Sequence, residues 1–171
     1  GDAHVCLWYA HASAPSALTR EPRCAAADPD GHYRIEGVPP IRSQIHATAP
    51  GYVPSRFAEG DDHDSGEIVP APGSERDDVN FTLVAGGVKV EGVVHDLAGG
   101  VVEGALVEVT SSGHRGGHGW LLAPRTIGQT DPDGRFAVWA VAGDVTVAAY
   151  ADGYAETSGS GPAPGVVFAL F

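Results

Sequence analysis

Apolar and polar residues alternate in short runs along this chain, and glycine, proline and aspartate separate the runs. Tyr33 and Ile35 alternate with Arg34 and Glu36, and Phe136 and Val138 with Arg135 and Ala137. A period of two sends successive side chains to opposite faces of an extended chain, so each run predicts a half-buried strand. Gln44 to Ala47, Val145 to Tyr150, Val79-Asn80-Phe81-Thr82-Leu83 and Val166-Val167-Phe168-Ala169-Leu170 read the same way. No segment combines a 3.6-residue period with caps. The expected class is all-β, with sheets packed on sheets.

The pattern occurs twice. Asp28-Pro29-Asp30-Gly31 precedes the Tyr33/Ile35 run, and Asp131-Pro132-Asp133-Gly134 precedes the Phe136/Val138 run. Ala49-Pro50-Gly51-Tyr52 answers Ala151-Asp152-Gly153-Tyr154, and each unit closes on Val-x-Phe-x-Leu or its near equivalent. Three landmarks in one order indicate an internal repeat. In the Asp-Pro-Asp-Gly turn, proline fixes one φ, the first carboxylate can accept from nearby amides, and glycine is free to take φ > 0. Asp28, Gly31, Asp131 and Gly134 are therefore read as turn-forming residues.

The second unit, 88–171, reads as complete, with strands near 88–95, 101–109, 124–130, 134–141, 145–150 and 166–171. The first, 1–84, opens with Ala3-His4-Val5-Cys6-Leu7, which matches Ala105-Leu106-Val107-Glu108-Val109. It has no counterpart of Val88-Lys89-Val90-Glu91-Gly92-Val93-Val94. The missing strand is expected to come from residues upstream of Gly1 or from a neighbouring molecule, with the insertion from Ser55 to Asp78 the weakest candidate. Residues 55–78 form an insertion rich in Asp, Glu, Gly, Pro and Ser, expected to be an exposed loop. The Gly86-Gly87 join is expected to permit a hinge.

The strings Val90-Glu91-Gly92-Val93-Val94, Gly104-Ala105-Leu106-Val107-Glu108-Val109, Thr130-Asp131-Pro132-Asp133-Gly134-Arg135-Phe136 and Ala149-Tyr150-Ala151-Asp152-Gly153-Tyr154 resemble the carboxypeptidase regulatory-like domain. The resemblance covers the second unit and most of the first. It implies two tandem immunoglobulin-like, prealbumin-like (transthyretin-like) β-sandwiches, the first lacking its opening strand. That family consists mostly of accessory modules in exported proteins, so the resemblance implies a structural, adhesive or spacer role. Such a fold does not by itself name a ligand.

Composition narrows the functions further. The chain has 171 residues, 24 Gly, 13 Pro, no Met and a formal net charge of -12. Ten scattered basic residues cannot line a phosphate backbone, so nucleic acid is not an expected partner. No apolar run approaches the roughly 20 residues of a membrane-spanning helix. Gly1 to His11 lacks the basic start and apolar stretch of a signal peptide, so a mature or trimmed segment is expected. Cys6 and Cys24 are the only cysteines. In a small Gly- and Pro-rich β protein they are expected to pair, which points to a secreted or cell-surface location.

Catalytic chemistry finds little footing. There is no Gly-x-Ser-x-Gly elbow, and Cys24 has only Arg23 to activate a thiolate, so no catalytic residue is assigned. His114 and His118 share a Gly-rich loop, but zinc needs three or four protein ligands and no third is visible. Calcium takes several oxygens in flexible geometry, and Asp61, Asp62, Asp64 and Glu67 are the candidate ligands, although their spacing is not that of an Asp-x-Asp-x-Asp-Gly loop. For a glycan, Trp120 is the best aromatic platform. Trp8 and Trp139 either present aromatics on the sheet faces or fill the interface between the units. A Lys–Asn crosslink within the second unit is excluded, because its last strand has no Asn for Lys89. The leading expectation is a non-catalytic structural, adhesive or spacer module whose partners are other domains of a longer parent chain or neighbouring copies. The rivals are a carbohydrate- or calcium-binding accessory domain and a subunit of an extracellular filament assembled by strand addition.

Overall fold

The structure is a computed structural model and describes residues 2–9, 22–57, 67–111, 125–163 and 167–170, with the backbone alone at 67 and 167–170. The described residues contain strands and turns and no helix. No helix long and apolar enough to cross a membrane is present among them.

In the C-terminal half the valine alternation builds two sheets. One has the order β10 (Arg125–Gln129), β9 (Leu106–Ser111), β12 (Gly143–Tyr150), β13 (Thr157–Ala163), all antiparallel. The other places β8 (Val88–Val94) between β11 (Arg135–Ala140), antiparallel to it, and β14 (Val167–Leu170), parallel to it. Their inward residues, among them Val90, Val107, Val109, Phe136, Val138, Val145 and Val147, form one buried cluster. The halves of this sandwich meet because every second residue of each strand is apolar and small or branched.

The N-terminal half repeats the first of these sheets. Its order is β2 (Arg23–Ala26), β1 (His4–Tyr9), β3 (Ser43–Thr48), β5 (Ser55–Arg56), with β6 (Glu67–Ile68) also paired to β3. Val5, Leu7, Tyr9, Ile45, Ala47 and Ile68 make a second, separate core cluster.

Three sequence expectations are corrected here. The run expected at 101–109 begins as a strand only at Leu106, because Gly104 takes φ +69° and its amide turns away to the Thr130 carbonyl oxygen at 3.1 Å. The insertion 55–78 is not wholly an exposed loop: β5 and β6 extend the sheet, and Ile68 is only 4% exposed. The join is not a free hinge. β4 (Tyr52–Val53) pairs with β7 (Val84–Ala85), and the Gly86 and Gly87 amides both donate to the Gly51 carbonyl oxygen, at 2.9 and 3.2 Å. A β-carbon on Gly87 would overlap the Tyr52 carbonyl, so only glycine fits there.

The two Asp-Pro-Asp-Gly turns are superimposable in their bonding. Asp28 Oδ1 accepts from the Asp30 and His32 amides at 3.0 and 2.8 Å, and Asp131 Oδ1 from the Asp133 and Arg135 amides at the same distances. Gly31 and Gly134 sit at φ +90° and +71°. A third turn of this kind was not singled out in the sequence. Asp96 Oδ1 accepts from the Ala98 and Gly100 amides at 2.9 and 2.7 Å, with Gly99 at φ +86°. Asp followed three residues later by Gly is the shared signal.

Candidate functional site

Two features outside the cores could meet a partner: a cleft where the halves face each other, and an open lane on the N-terminal half.

The cleft has a volume of about 1370 Å³, and its walls include Cys6, Trp8 and Cys24 on one side and Glu108, Trp139 and Tyr150 on the other. Alternation along β1 and β3 sends Val5, Leu7, Ile45 and Ala47 to the core and leaves His4, Cys6, Trp8 and His46 for the opposite face. Cys6 lies directly opposite Cys24 on β2, and the two form a disulfide with Cα atoms 4.1 Å apart. The Ala27 amide donates to the Ala3 carbonyl at 2.8 Å, so counting along the ladder makes Cys6–Cys24 a non-hydrogen-bonded pair, the closer kind.

His46 is buried on this face, and neither ring nitrogen has a hydrogen-bond partner among the described residues. Burial, reinforced by Arg56 and Arg125, pushes its pKa down to about 3, so the ring is neutral at pH 7. Across the cleft, Arg125 pairs with Glu108 at 3.2 Å. Burial first, then Glu108 and Glu156, raises the Tyr150 phenol to about 12, which keeps it a neutral donor. Trp8 is buried and Trp139 half-buried, and both line the cleft.

The lane is seen by laying one half on the other. In the C-terminal half, β8 lies between β11 and β14. The repeat maps β11 onto 32–37 and β14 onto 80–83, and no strand forms over 32–38 or 79–83, contrary to the alternation. Among the described residues, the backbone–backbone hydrogen bonds made by these segments are local, from the Asp28 amide to the His32 carbonyl and from the Asn80 amide to the Asp78 carbonyl. The segments are held beside each other by side chains instead. The Tyr33 hydroxyl donates to the Val79 carbonyl at 2.7 Å, and the Tyr33 and Phe81 rings lie 6.3 Å apart. Tyr33, Ile35, Val38, Val79, Phe81 and Leu83 all pack on the N-terminal core yet stay partly exposed. Phe136 and Val138, which occupy the positions of Tyr33 and Ile35, are each 4% exposed. Among the described residues no strand lies between 32–38 and 79–83, and extended segments whose amides and carbonyls have no strand beside them form no ladder.

No protein-family model matches the chain, and no curated protein matches it. Among solved structures it is similar to a mutant catechol 1,2-dioxygenase from Acinetobacter radioresistens, at 20% identity and a TM-score of 0.35, over 46% of this chain and 36% of that one. The chain thus spans about a third of the dioxygenase. The shaft pilin SpaA from Lactobacillus rhamnosus GG is similar at 14% identity and a TM-score of 0.39, over 99% of this chain and 86% of that one. A streptococcal ancillary pilin is similar at 14% identity and a TM-score of 0.31, over 99% and 56% of the two chains. Likenesses of this size assign no family. The all-β architecture stands on the chain's own strand pairing.

Of the candidate ligand residues, Trp120, Asp61, Asp62 and Asp64, with His114 and His118, lie outside the described residues, and of Glu67 only the backbone is described, paired opposite Gln44. Among the described residues no three His, Cys, Asp or Glu side chains come together as a metal site. His46, Arg125 and Tyr150 were not singled out in the sequence. A histidine inside an alternating strand gives no signal of its own, because the alternation places His46 on the face of β3 away from the N-terminal core, and the packing of one half on the other decides whether that face is buried.

Proposed function

We propose that this chain is a non-catalytic structural module of a secreted or cell-surface protein, built as two tandem β-sandwich units of the carboxypeptidase regulatory-like kind, 1–84 and 88–171. The observation that carries this reading is the repeat in the structure: one four-strand order, β2-β1-β3-β5 and β10-β9-β12-β13, used twice, each with its own core. The acidic side chains that stand out in the sequence repeat, Asp28 and Asp131, are spent on turn amides. The Cys6–Cys24 bond across β1 and β2 supports an oxidising location.

The test is to produce 88–171 alone. A separate unit gives a cooperatively folded β protein whose melting transition reappears within the intact chain. An unfolded fragment would overturn the tandem reading. A calcium titration and a glycan array on the intact chain decide against the accessory-domain rival if neither gives saturable binding.

A further inference from the structure

We propose that the lane between 33–38 and 79–83 is a strand-acceptor groove, and that its occupant is an extended peptide segment with the chemistry of β8. This deepens the structural-module reading and rests on it. The C-terminal half shows what the groove takes. There β8 runs antiparallel to β11, with Val90 opposite Val138 and Gly92 opposite Phe136, and parallel to β14, with Gly92 opposite Phe168 and Val94 opposite Leu170. Carried through the repeat, an incoming strand places a branched apolar residue opposite Ile35 and glycine opposite both Tyr33 and Phe81. Glycine suits that position because aromatic residues lie on both sides of it.

Three observations support the groove. Tyr33 and Ile35, which would lie opposite the incoming strand, are partly exposed where their repeat partners Phe136 and Val138 are buried. The Gly134 carbonyl accepts from the Val94 amide at 2.9 Å at the end of β8, and a β-carbon on Gly134 would come within 2.8 Å of the Val94 carbonyl oxygen. At Gly31, the same position of the same turn, a β-carbon would meet nothing within 4 Å. Charge also matches. Lys89 and Glu91, the polar residues of β8, lie opposite Trp139 and Ala137, whose repeat partners are Glu36 and Arg34. A β8-like strand in the groove therefore sets Lys against Glu36 and Glu against Arg34. Both are exposed and paired only at the surface now.

The experiment uses the intact 171-residue chain and a fluorescent synthetic peptide of sequence 87–95, GVKVEGVVH. Anisotropy is expected to show saturable one-to-one binding, and the N-terminal melting transition to rise while the C-terminal one stays fixed. A peptide with Lys and Glu exchanged is expected to bind about five- to tenfold more weakly, from two reversed cross-strand charge pairs. The surface variant R34E/E36K, which leaves the core untouched, should reverse that preference and restore binding of the exchanged peptide. No saturable binding overturns the groove, as does equal binding of both peptides to both proteins. A concentration-dependent dimer that excludes the peptide overturns it in favour of a second copy as occupant. If 88–171 folds alone and the peptide does not bind, the groove fails and the structural reading stands. If 88–171 does not fold, the structural reading itself fails.

Discussion

Gly31 and Gly134 hold the same left-handed position in the same turn, at φ +90° and +71°, but only Gly134 has a neighbour close enough to forbid a side chain. A β-branched residue at either site meets the φ > 0 penalty of about 1–2 kcal/mol. At Gly134 it also strikes the Val94 carbonyl and the Val101 side chain.

Gly134→Val is therefore expected to destabilise its half by about 3 kcal/mol, and Gly31→Val by about 1–2 kcal/mol. Denaturant titration of each variant, followed through the separate transitions, checks this. Equal losses would mean that the open space beside Gly31 has no energetic consequence.

Cys6 and Cys24 close a loop with a sequence separation of 18. Loop-closure entropy then makes the bond contribute about 3 kcal/mol. The double variant Cys6→Ser/Cys24→Ser should lower the N-terminal transition and leave the C-terminal one in place. Thiol labelling of the native protein should find no reactive cysteine, and labelling at two sites would remove the bond and the argument for an oxidising location.

His46 gives the protein a defined acid sensitivity. Its pKa is about 3 in the folded state, against 6.5 as an ordinary histidine. The unfolded chain thus binds more protons between these values. The stability associated with the neutral ring is fully present above pH 6.5 and is lost as pH falls towards 3. By pH 5 the loss amounts to about 2 kcal/mol, and His46→Leu should remove that part of the slope. Melting temperatures of both proteins between pH 7.5 and 5 test this. Parallel curves would show that His46 is not held neutral by its burial between the halves.

How much of this was legible in the sequence depends on where each signal resides. The strands of the C-terminal sandwich follow from residues such as Val107, Val109, Val145 and Val147, where alternation and burial coincide. The strand β13 escaped because Thr157 to Ala163 is built of Ser, Gly and Pro, and an edge strand needs backbone groups on one side only, not an apolar face. Tyr33 to Val38 shows the opposite failure. It has the right alternation, but strand formation needs a partner, and pairing is a property of three-dimensional neighbours that a local pattern does not contain. The cleft was illegible for the same reason, since His46 and Arg125 are far apart in sequence and act on each other only through the packing of the two halves.

Thr130 supplies the last prediction. It lies directly after β10, before the Asp131 turn, and its side chain is buried. The hydroxyl donates to the Val102 carbonyl at 2.7 Å and accepts from the Ala105 amide at 2.8 Å, tying β10 to the segment that leads into β9. Ala105 is fully buried, so no water replaces a lost partner without rearrangement. Thr130→Val keeps the shape and removes both bonds, leaving a buried amide and a buried carbonyl each short of a partner. The expected cost is about 2–3 kcal/mol. Thr130→Ser keeps the hydroxyl and loses one methyl group, for about 1 kcal/mol. The order of the two variants in the C-terminal unfolding transition is the test. If Val is tolerated as well as Ser, the hydroxyl does not hold the turn, and the packing of Val102 and Ala105 must do so alone.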